Sequence, residues 1–274
     1  MLQKKTRVGI IGCGSIGSFL ASKIVRELKD SVVLSALYDV DREKSRALCA
    51  KLKLPGICVS SQKELLHKSA FIVEAASAAV AARVTARALA AGKDCLIMSS
   101  GGLLNDYPRL FRLARIKGRR IFIPSGAIGG IDAVKALAFV KISRIILTTF
   151  KPPHAFIGSP YILRRKINLN AIKADRVLFS GNVTSAVKNF PQNINVAATL
   201  GLASRATNRL KIRIVASPGC RNNIHEIEVI SKAGNLRVRL ENLPSPANPK
   251  TSFLAMLSAL TTLKGALEEV KVGT

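Results

Sequence analysis

The sequence contains no tryptophan and only three tyrosines among its 274 residues. Stacked aromatic side chains are a common platform for nucleic-acid bases, so this scarcity argues against a base-stacking protein. No stretch offers about 18 consecutive apolar residues free of charge, which argues against a membrane-spanning helix. The basic and then apolar start is broken by glycines and is too short for a secretory signal. We therefore expect a soluble protein with no membrane partner.

Cysteine and histidine are also sparse. The five cysteines are an odd number, include no CxxC pair and fall within apolar strand or helix patterns, which indicates reduced thiols and a cytoplasmic protein. Two of the three histidines, His67 and His154, lie far in sequence from any cysteine or acidic cluster. We therefore expect both to be surface residues and predict no metal site.

Acidic residues are few, with 16 against 43 basic ones, so the formal net charge is +27. Such a field could bind nucleic acid, or it could concentrate anionic substrates and cofactors. No basic helix and no zinc-finger spacing accompanies the charge. We interpret it as a solvated basic surface and do not expect nucleic acid to be a partner.

Short apolar, β-branched runs alternate with amphipathic stretches from residue 7 to about 123. This alternation is typical of βαβ units and predicts an α/β fold with a doubly wound parallel sheet, in a first domain over residues 1–124. Strands are predicted at the segments RVGII, VVLSALY, FIVEA, DCLIM and RRIFI. After the first of them, Ile16, Leu20 and Ile24 recur every four residues, as on one face of a helix.

The segment GIIGCGSIG places Gly12, Gly14 and Gly17 in GxGxxG spacing, directly after a strand pattern and before a helix pattern. The first glycine permits a tight turn, the second lets a pyrophosphate approach the backbone, and the third lets the helix pack closely. Backbone N–H groups at the start of the helix, around Ser15 and Ile16, can then bind the phosphates. The alternative is a tight turn with no ligand.

Asp39 ends the second strand pattern, 22 residues after Gly17. An acidic side chain there can accept hydrogen bonds from both ribose hydroxyls, and its charge repels a 2′-phosphate. We therefore predict NAD as the cofactor, with NADP as the alternative. The competing interpretation of Asp39 is a cap for the helix that starts near Asp41.

Small side chains in the segment EAAS, residues 74–77, end the third strand pattern. They suit the passage of a dinucleotide near the carboxyl edge of a parallel sheet. We predict cofactor contacts at Ala76 and Ser77, and also at Ser100.

The pattern changes after Pro124, and we predict a second domain over residues 125–250, followed by a C-terminal helix within 251–274 that packs back on the body. Strand patterns dominate residues 210–242. In NNIHEIEVI, the alternation places Asn223 and His225 on the apolar, inward face. His225 is then either a core histidine or the acid/base of a cleft, where burial sets its pKa and tautomer.

Two loops of this second domain have ligand-binding character. The segment SGAIGG, residues 125–130, offers small side chains and backbone N–H groups ahead of a helix, and these can hold a carboxylate or a ribose. The segment FPQNIN carries Asn193 and Asn195 just before an alanine-rich helix. Their carboxamides can cap that helix or reach a ligand, and the loop glycines can equally form an ordinary turn.

Four segments taken together, SGAIGGIDAV, FPQNINVAATL, NNIHEIEV and NPKTSFLAMLSAL, closely resemble the L-aspartate dehydrogenases, in order along almost the whole chain. The resemblance implies a Rossmann domain followed by an α/β domain with a mixed sheet for substrate binding and dimerisation, assembled as a homodimer. It implies NAD(P)-dependent oxidation of L-aspartate to iminoaspartate. Iminoaspartate would then hydrolyse to oxaloacetate and ammonia, or supply NAD biosynthesis.

The resemblance also implies roles for individual residues. It makes His225 the catalytic acid/base and makes Ala127 and Asn195 contacts of NAD. Substrate contacts are predicted in the same segments, at Ser125, Gly126, Asn193, Asn223 and Lys250. Lys151 is a further candidate partner for an anion, and an ordinary surface lysine is the alternative for both lysines.

The sequence departs from the family at three positions: Gly102 stands where alanine is common, Phe150 where a polar or basic residue is frequent, and Ser180 where an acidic residue is usual. These departures bear on how the side-chain carboxylate of the substrate is recognised. Two rival functions stay open. One is a reductase of the same fold that acts on a related oxo or imino dicarboxylate, and the other is a dinucleotide-sensing protein without turnover.

Overall fold

A computed structural model describes residues 5–190, 194–246 and 248–273, without the side chains of residues 249 and 250. The chain divides into two compact units. The first comprises Met1–Pro124 and Met256–Val272, and the second comprises Ser125–Ala255 and Gly273–Thr274. Among the described residues, no helix combines the length and the apolar character that crossing a membrane requires.

The first unit contains a parallel five-stranded sheet in the order β2-β1-β3-β4-β5. Its strands are β1 Thr6–Ile11, β2 Val32–Tyr38, β3 Phe71–Glu74, β4 Asp94–Ile97 and β5 Ile121–Phe122. The strand order reverses between β1 and β3, and ligands of open α/β sheets bind outside the carboxyl ends of the strands at such a point. The predicted parallel sheet is confirmed, although the last strand is shorter than its sequence pattern.

Helices connect these strands. They are α1 Ser15–Glu27, α2 Arg42–Lys51, α3 Gln62–Lys68, α4 Ala78–Ala90 and α5 Tyr107–Lys117. The four-residue spacing in α1 is confirmed, because Leu20 and Ile24 are fully buried against Val8 and Ile10 of β1. Both faces of the sheet are covered in this way, which explains why its strands are nearly continuous apolar runs.

The second unit contains a mixed five-stranded sheet in the order β10-β9-β6-β8-β7, in which only β6 and β8 are parallel. Its strands are β6 Ile142–Lys151, β7 Arg176–Asn182, β8 Leu210–Ala216, β9 Asn223–Ser231 and β10 Gly234–Asn242. A small pair, β11 Pro244–Ser245 and β12 Asn248–Ser252, follows. The pairing of β6 with β9 shifts register between Ile142 and Arg144, so that Ser143 forms a bulge.

The helices of the second unit are α6 Ile131–Leu137, α7 Pro160–Arg165, α8 Val183–Asn189 and α9 Ile194–Ser204. The proline-rich connection after β6 contains α7 and a short 3-10 helix at Pro153–Phe156, because proline suits the first turn of a helix. The final helix, α10 Phe253–Leu267, starts directly after Ser252, and its Ala259 and Leu263 belong to the core cluster of the first unit.

One sequence interpretation of helix α9 is wrong. Asn195 does not precede this helix but is its second residue, because α9 already begins at Ile194. An exposed asparagine is tolerated there, since the first N–H groups of a helix have no acceptor within the helix. The neighbouring Asn193 lies outside the described residues.

Candidate functional site

The turn between β1 and α1 requires glycine at two positions for steric reasons. Gly12 has a φ of 99°, and a Cβ on it would lie 2.5 Å from the carbonyl oxygen of Ala75. A Cβ on Gly17 would lie 1.8 Å from the carbonyl oxygen of Gly12. The first glycine therefore permits the turn, and the third permits α1 to pack closely on it.

The second glycine of the motif faces open space. A Cβ on Gly14 would have no heavy atom within 4 Å beyond its chain neighbours. Gly14 is the N-cap of α1 and offers no side-chain cap to the helix, and the first turn of α1 holds no acidic residue. The hydroxyl oxygen of Ser15 is buried and has no hydrogen-bond partner within the described part of the chain. A helix start, a space that a Cβ would fill and an unpaired hydroxyl together suit the pyrophosphate of a dinucleotide.

Asp39 is tied to the same turn by hydrogen bonds. One carboxylate oxygen accepts from the backbone N–H of Cys13 at 2.7 Å, and the other accepts from that of Asp41 at 2.9 Å. The capping interpretation of Asp39 is wrong, because α2 is capped by Asp41, whose side chain accepts from the backbone of Glu43. Asp39 stays half-buried, so its remaining lone pairs can accept hydrogen bonds from ribose hydroxyls.

Sequence reasoning missed Glu74, which ends β3 and is fully buried. Its carboxylate accepts from the backbone N–H of Ala76 at 2.9 Å, and from the N–H and the hydroxyl of Ser99 at 3.0 and 2.9 Å. Burial raises the pKa of Glu74 and outweighs these hydrogen bonds, which act in the opposite direction. The carboxyl therefore ties together the loops after β3 and β4. The sequence of β3 reads as a buried apolar strand, and nothing in it indicates that the Glu74 carboxylate accepts hydrogen bonds from the loop after another strand.

Three of the predicted cofactor contacts lie at these strand ends. Ala76 and Ser77 are exposed directly after β3, at the point where the strand order reverses. Ser100 follows β4 but is only 1% exposed, in a short helix that packs against α4. In the same helix a Cβ on Gly102 would lie 2.1 Å from the carbonyl oxygen of Ala78, so this departure from the family has a steric reason.

In the second unit, His225 lies on β9 and is 5% exposed, which confirms its inward position. Its Nδ1 lies 3.0 Å from the hydroxyl of Thr149, which is opposite His225 on β6. The Nε2 atom has no hydrogen-bond partner among the described residues. The ring is therefore held by one nitrogen and keeps the other for a ligand.

Lys151 lies two residues after Thr149 on β6, and so on the same face of the sheet as His225. Burial lowers the pKa of the Lys151 ammonium to about 8. Burial, together with the positive charge of Lys151, lowers the pKa of His225 to about 3. At neutral pH the site therefore combines an uncharged imidazole with an ammonium ion.

Asn223 precedes His225 by two residues and lies half-buried on the same face. Its partner on β10 is Asn242, which is 3% exposed. The amide nitrogen of Asn242 donates to the carbonyl oxygen of Ala127 at 3.0 Å, and its amide oxygen accepts from the hydroxyl of Ser252 at 2.8 Å. Asn242, which sequence reasoning also missed, thus anchors the loop over residues 125–130 to the end of β10.

The remaining predicted contacts are distributed differently. Ser125 and Gly126 are half-buried in this anchored loop, where Gly126 has a φ of 70°. Asn195 is exposed on the first turn of α9. Lys250 lies on β12, with its side chain outside the described part. The structure thus places His225 and Asn223 on one face, and adds Thr149 and Lys151 to them.

Two departures from the family lie on the opposite face of the second sheet. Phe150 alternates with Thr149 and Lys151, and Ser180 pairs with Arg213, which in turn pairs with Thr148. The guanidinium of Arg239 lies 5.4 Å from the centre of the Phe150 ring on that side. Neither residue therefore shares the face of His225.

His67 and His154 are exposed, as expected. Among the described residues, no group of three or more histidine, cysteine, aspartate or glutamate side chains could hold a metal ion.

Known protein families match both halves of the chain. Residues 12–124 match the family described as homoserine dehydrogenase, NAD binding domain, and residues 132–266 match the family described as aspartate dehydrogenase, C-terminal. The first unit is therefore an NAD-binding domain, and the geometry of its glycine turn and of Asp39 agrees with that cofactor.

Relatives that match almost the whole chain are named L-aspartate dehydrogenase. The L-aspartate dehydrogenase of Methanosarcina barkeri is 40% identical over 98% of this chain and 99% of its own length. The L-aspartate dehydrogenase of Methanosarcina acetivorans is 39% identical over the same shares. The crystal structure of aspartate dehydrogenase from Thermotoga maritima matches with a TM-score of 0.76 and 26% identity, over 98% of this chain and 100% of that one. The resemblance noted in the sequence is thereby confirmed, and the chain belongs to the L-aspartate dehydrogenase family.

Proposed function

We propose that the protein oxidises L-aspartate to iminoaspartate with NAD, and that His225 is the general acid/base. The observation that carries this proposal is the uncharged, buried imidazole of His225, held at Nδ1 by Thr149 beside the ammonium of Lys151. An apolar core would not need a lysine and a threonine on its inward face. A dicarboxylate substrate with an amine to deprotonate would use all three groups.

The reaction removes a proton from the substrate nitrogen and a hydride from C2. When NAD is bound, it accepts the hydride. The ammonium of aspartate first has to lose a proton, because its lone pair forms the new C=N bond. In the proposed tautomer the Nδ1–H of His225 donates to Thr149, and Nε2 accepts that proton.

Water completes the proposed sequence when it adds to the imine carbon. His225, now protonated, would return its proton to the departing nitrogen, so that ammonia and oxaloacetate are the products. Iminoaspartate that leaves before hydrolysis would instead be available to NAD biosynthesis. Asn223 and the loop over residues 125–130, including Ser125, Gly126 and Ala127, would orient the substrate and the nicotinamide end of the cofactor. We keep Asn193, Asn195 and Lys250 as proposed contacts on the strength of the resemblance.

For the cofactor we propose contacts at Gly12, Gly14, Ser15, Ile16 and Gly17, and at Asp39, Ala76, Ser77 and Ser100. The carboxylate of Asp39 supports a preference for NAD over NADP, because it would repel a 2′-phosphate. The loops that follow β1 and β3 both lie where the strand order of the sheet reverses, and this position supports the binding of a dinucleotide between them.

The direct test is an assay of purified protein with NAD and L-aspartate, followed by the absorbance of the reduced cofactor. We expect turnover with L-aspartate and expect His225→Ala to lower kcat by about 10²–10⁴-fold, with NADH affinity unchanged. The matched control is His154→Ala, which removes an exposed histidine and should behave like wild type. Turnover with another dicarboxylate but not with aspartate would favour a related reductase. NAD binding without any turnover would favour a dinucleotide-sensing protein.

We also propose that the protein works as a homodimer, as the family resemblance implies, and that it works in the cytoplasm and without nucleic acid, as its cysteines and composition favour. Light scattering coupled to gel filtration tests the first point, and a single-chain mass would contradict it. Retention on DNA that falls with salt and ignores NAD would instead support a nucleic-acid role for the +27 charge.

A further inference from the structure

Among the described residues, the ammonium of Lys151 has no acidic partner of the kind that a buried cation normally has. Lys151 is half-buried, and its side-chain ammonium forms no hydrogen bond or ion pair with any residue in the described part of the chain. Burying a charge without a partner costs free energy, and here the cost appears as a pKa lowered to about 8 by burial alone. The site therefore already contains half of an ion pair.

The acidic groups of this sheet lie on its other face. Glu228 forms ion pairs at 3.3 Å with Arg144 and with Arg237, and Glu226 pairs with Arg239. These glutamates alternate with His225 along β9, so they point away from it. An anion that neutralises Lys151 therefore has to come from outside this part of the chain.

Lys151 is also the charged group that acts on His225. The residues opposite and next to His225 on β6 and β10 are Thr149, Lys151, Leu240 and Asn242, of which only Lys151 is charged. The charged residues of α6 and α8 are all exposed: Asp132, Lys135 and Lys188. Helix α9 carries no charged residue. Burial is the larger cause of the lowered pKa of His225, and the positive charge of Lys151 lowers it further.

We infer that Lys151 binds a carboxylate of the substrate, and that a dicarboxylate bound there makes His225 a better proton acceptor. The inference deepens the proposed function, since it rests on an amino dicarboxylate as the substrate. Without substrate, the Lys151 charge opposes protonation of His225. A carboxylate on Lys151 offsets that field but not the larger effect of burial, so it makes Nε2 a better acceptor for a proton of the substrate ammonium: an N–H bond of the substrate breaks and an Nε2–H bond forms.

This coupling restricts proton transfer to the correct ligand. A monocarboxylic amino acid that uses its only carboxylate elsewhere would leave the Lys151 ammonium unpaired, and its field would continue to oppose protonation of His225. Lys151 thereby acts as a specificity-determining residue as well as an anchor. The rival explanation is a lysine that only packs against the sheet through its aliphatic chain.

The test uses the small number of histidines. The chain contains three, and His67 and His154 are exposed, so the imidazole C2–H signals in a proton NMR titration can be assigned with His→Gln variants. The probe is succinate, which has two carboxylates like aspartate but no amine from which an imine could form. In the free protein we expect the His225 signal to titrate near its lowered pKa of about 3 and not between about pH 5 and 8, so the titration is carried down to that pH; we expect succinate to raise this pKa by about one unit.

Three variants separate anchoring from packing. Lys151→Met keeps the length of the side chain and removes the charge; it should raise the pKa of His225 without succinate, abolish the response to succinate and increase the KM for aspartate by about 100-fold. Lys151→Arg keeps the charge and should retain the response. Lys232→Met, in the exposed turn of the β9–β10 hairpin, is the matched control and should behave like wild type.

A His225 signal that responds to succinate in Lys151→Met as it does in wild type would overturn the inference, and so would a KM within twofold of wild type. The two proposals fail separately, because the NMR titration needs no turnover. If wild-type protein does not oxidise aspartate but succinate still shifts His225 through Lys151, the proposed function fails and the carboxylate site stands. Thermal unfolding of each variant shows whether Lys151→Met is folded. If it is not folded, Lys151→Arg still tests the inference, because it keeps the charge and should retain the response to succinate.

Discussion

The two units build their sites from different materials. In the first unit the site is made of backbone: a turn that only glycine permits, and the N–H groups at the start of α1. In the second unit the site is made of side chains, those of Thr149 and Lys151 on β6 and of His225 on β9. Thr149 and His225, which are joined by a hydrogen bond, are 76 residues apart in the sequence. A backbone site leaves its mark in consecutive residues. A side-chain site becomes visible only when the strand pairing is known.

Adding a single methyl group to Gly17 should disrupt the glycine turn of the first unit. Gly17→Ala places a Cβ 1.8 Å from the carbonyl oxygen of Gly12, so the turn or α1 has to move. We expect the free energy of unfolding to fall by about 3 kcal/mol or more, in chemical denaturation. Gly14→Ala is the matched variant, because its Cβ meets open space. It should leave stability within about 1 kcal/mol of wild type and weaken NAD binding; equal loss of stability in both variants would contradict the difference.

Acid should act on the second site through His225. Its pKa of about 3 is below the ordinary value of 6.5, so between these pH values the unfolded chain binds a proton that the folded chain does not. The stabilisation is fully present above pH 6.5 and is lost as the pH falls toward 3. We expect His225→Gln to remove up to about 1.4 kcal/mol per pH unit from the pH dependence of unfolding in this window. Equal slopes for wild type and variant, measured by denaturation at several pH values, would show that the imidazole is not buried.

The buried carboxyl of Glu74 tests whether a side chain also supports the backbone site. Glu74→Gln replaces one acceptor oxygen with an NH₂ group that faces the donors of Ala76 or Ser99. We expect a loss of about 1–3 kcal/mol in unfolding free energy and weaker NAD binding, from calorimetry. Glu27→Gln, at an exposed position of α1, is the control and should cost little. Unchanged NAD affinity in Glu74→Gln would show that the loops after β3 and β4, which Glu74 joins, do not contribute to cofactor binding.

The smallest effect should be a change in cofactor preference. Asp39→Asn keeps one acceptor oxygen for the backbone of Cys13 and removes the charge that would repel a 2′-phosphate. We expect the ratio of kcat/KM for NAD to that for NADP to fall about tenfold, which corresponds to about 1.4 kcal/mol. A ratio that does not change would mean that the Asp39 charge does not face the ribose.

The sequence predicts much of the first unit because its signals are local. The GxGxxG spacing, the apolar strands and the position of Asp39 lie within one βαβ segment, and each has a separate physical reason. Glu74 escaped notice because its partners, Ala76 and Ser99, include one 25 residues away. In the second unit, alternation alone placed His225 inward, but it could not choose between a core and a catalytic histidine. The pairing of β6 with β9 supplied Thr149 and Lys151, although their spacing in TTFK already put both on one face.

The register of β6 also has a chemical meaning. Thr149 and Lys151 face His225, whereas Phe150 between them faces the ion pairs on the other side of the sheet. A slip of one residue along β9 would exchange these sets, putting a phenyl ring in place of the cation. The bulge at Ser143 absorbs one residue upstream, and the Ser143 hydroxyl donates to the carbonyl oxygen of Ile230 at 3.0 Å. The irregularity confines the change of register to Ile142, so that the regular pairing from Arg144 to Phe150 keeps Thr149 and Lys151 on the face of His225.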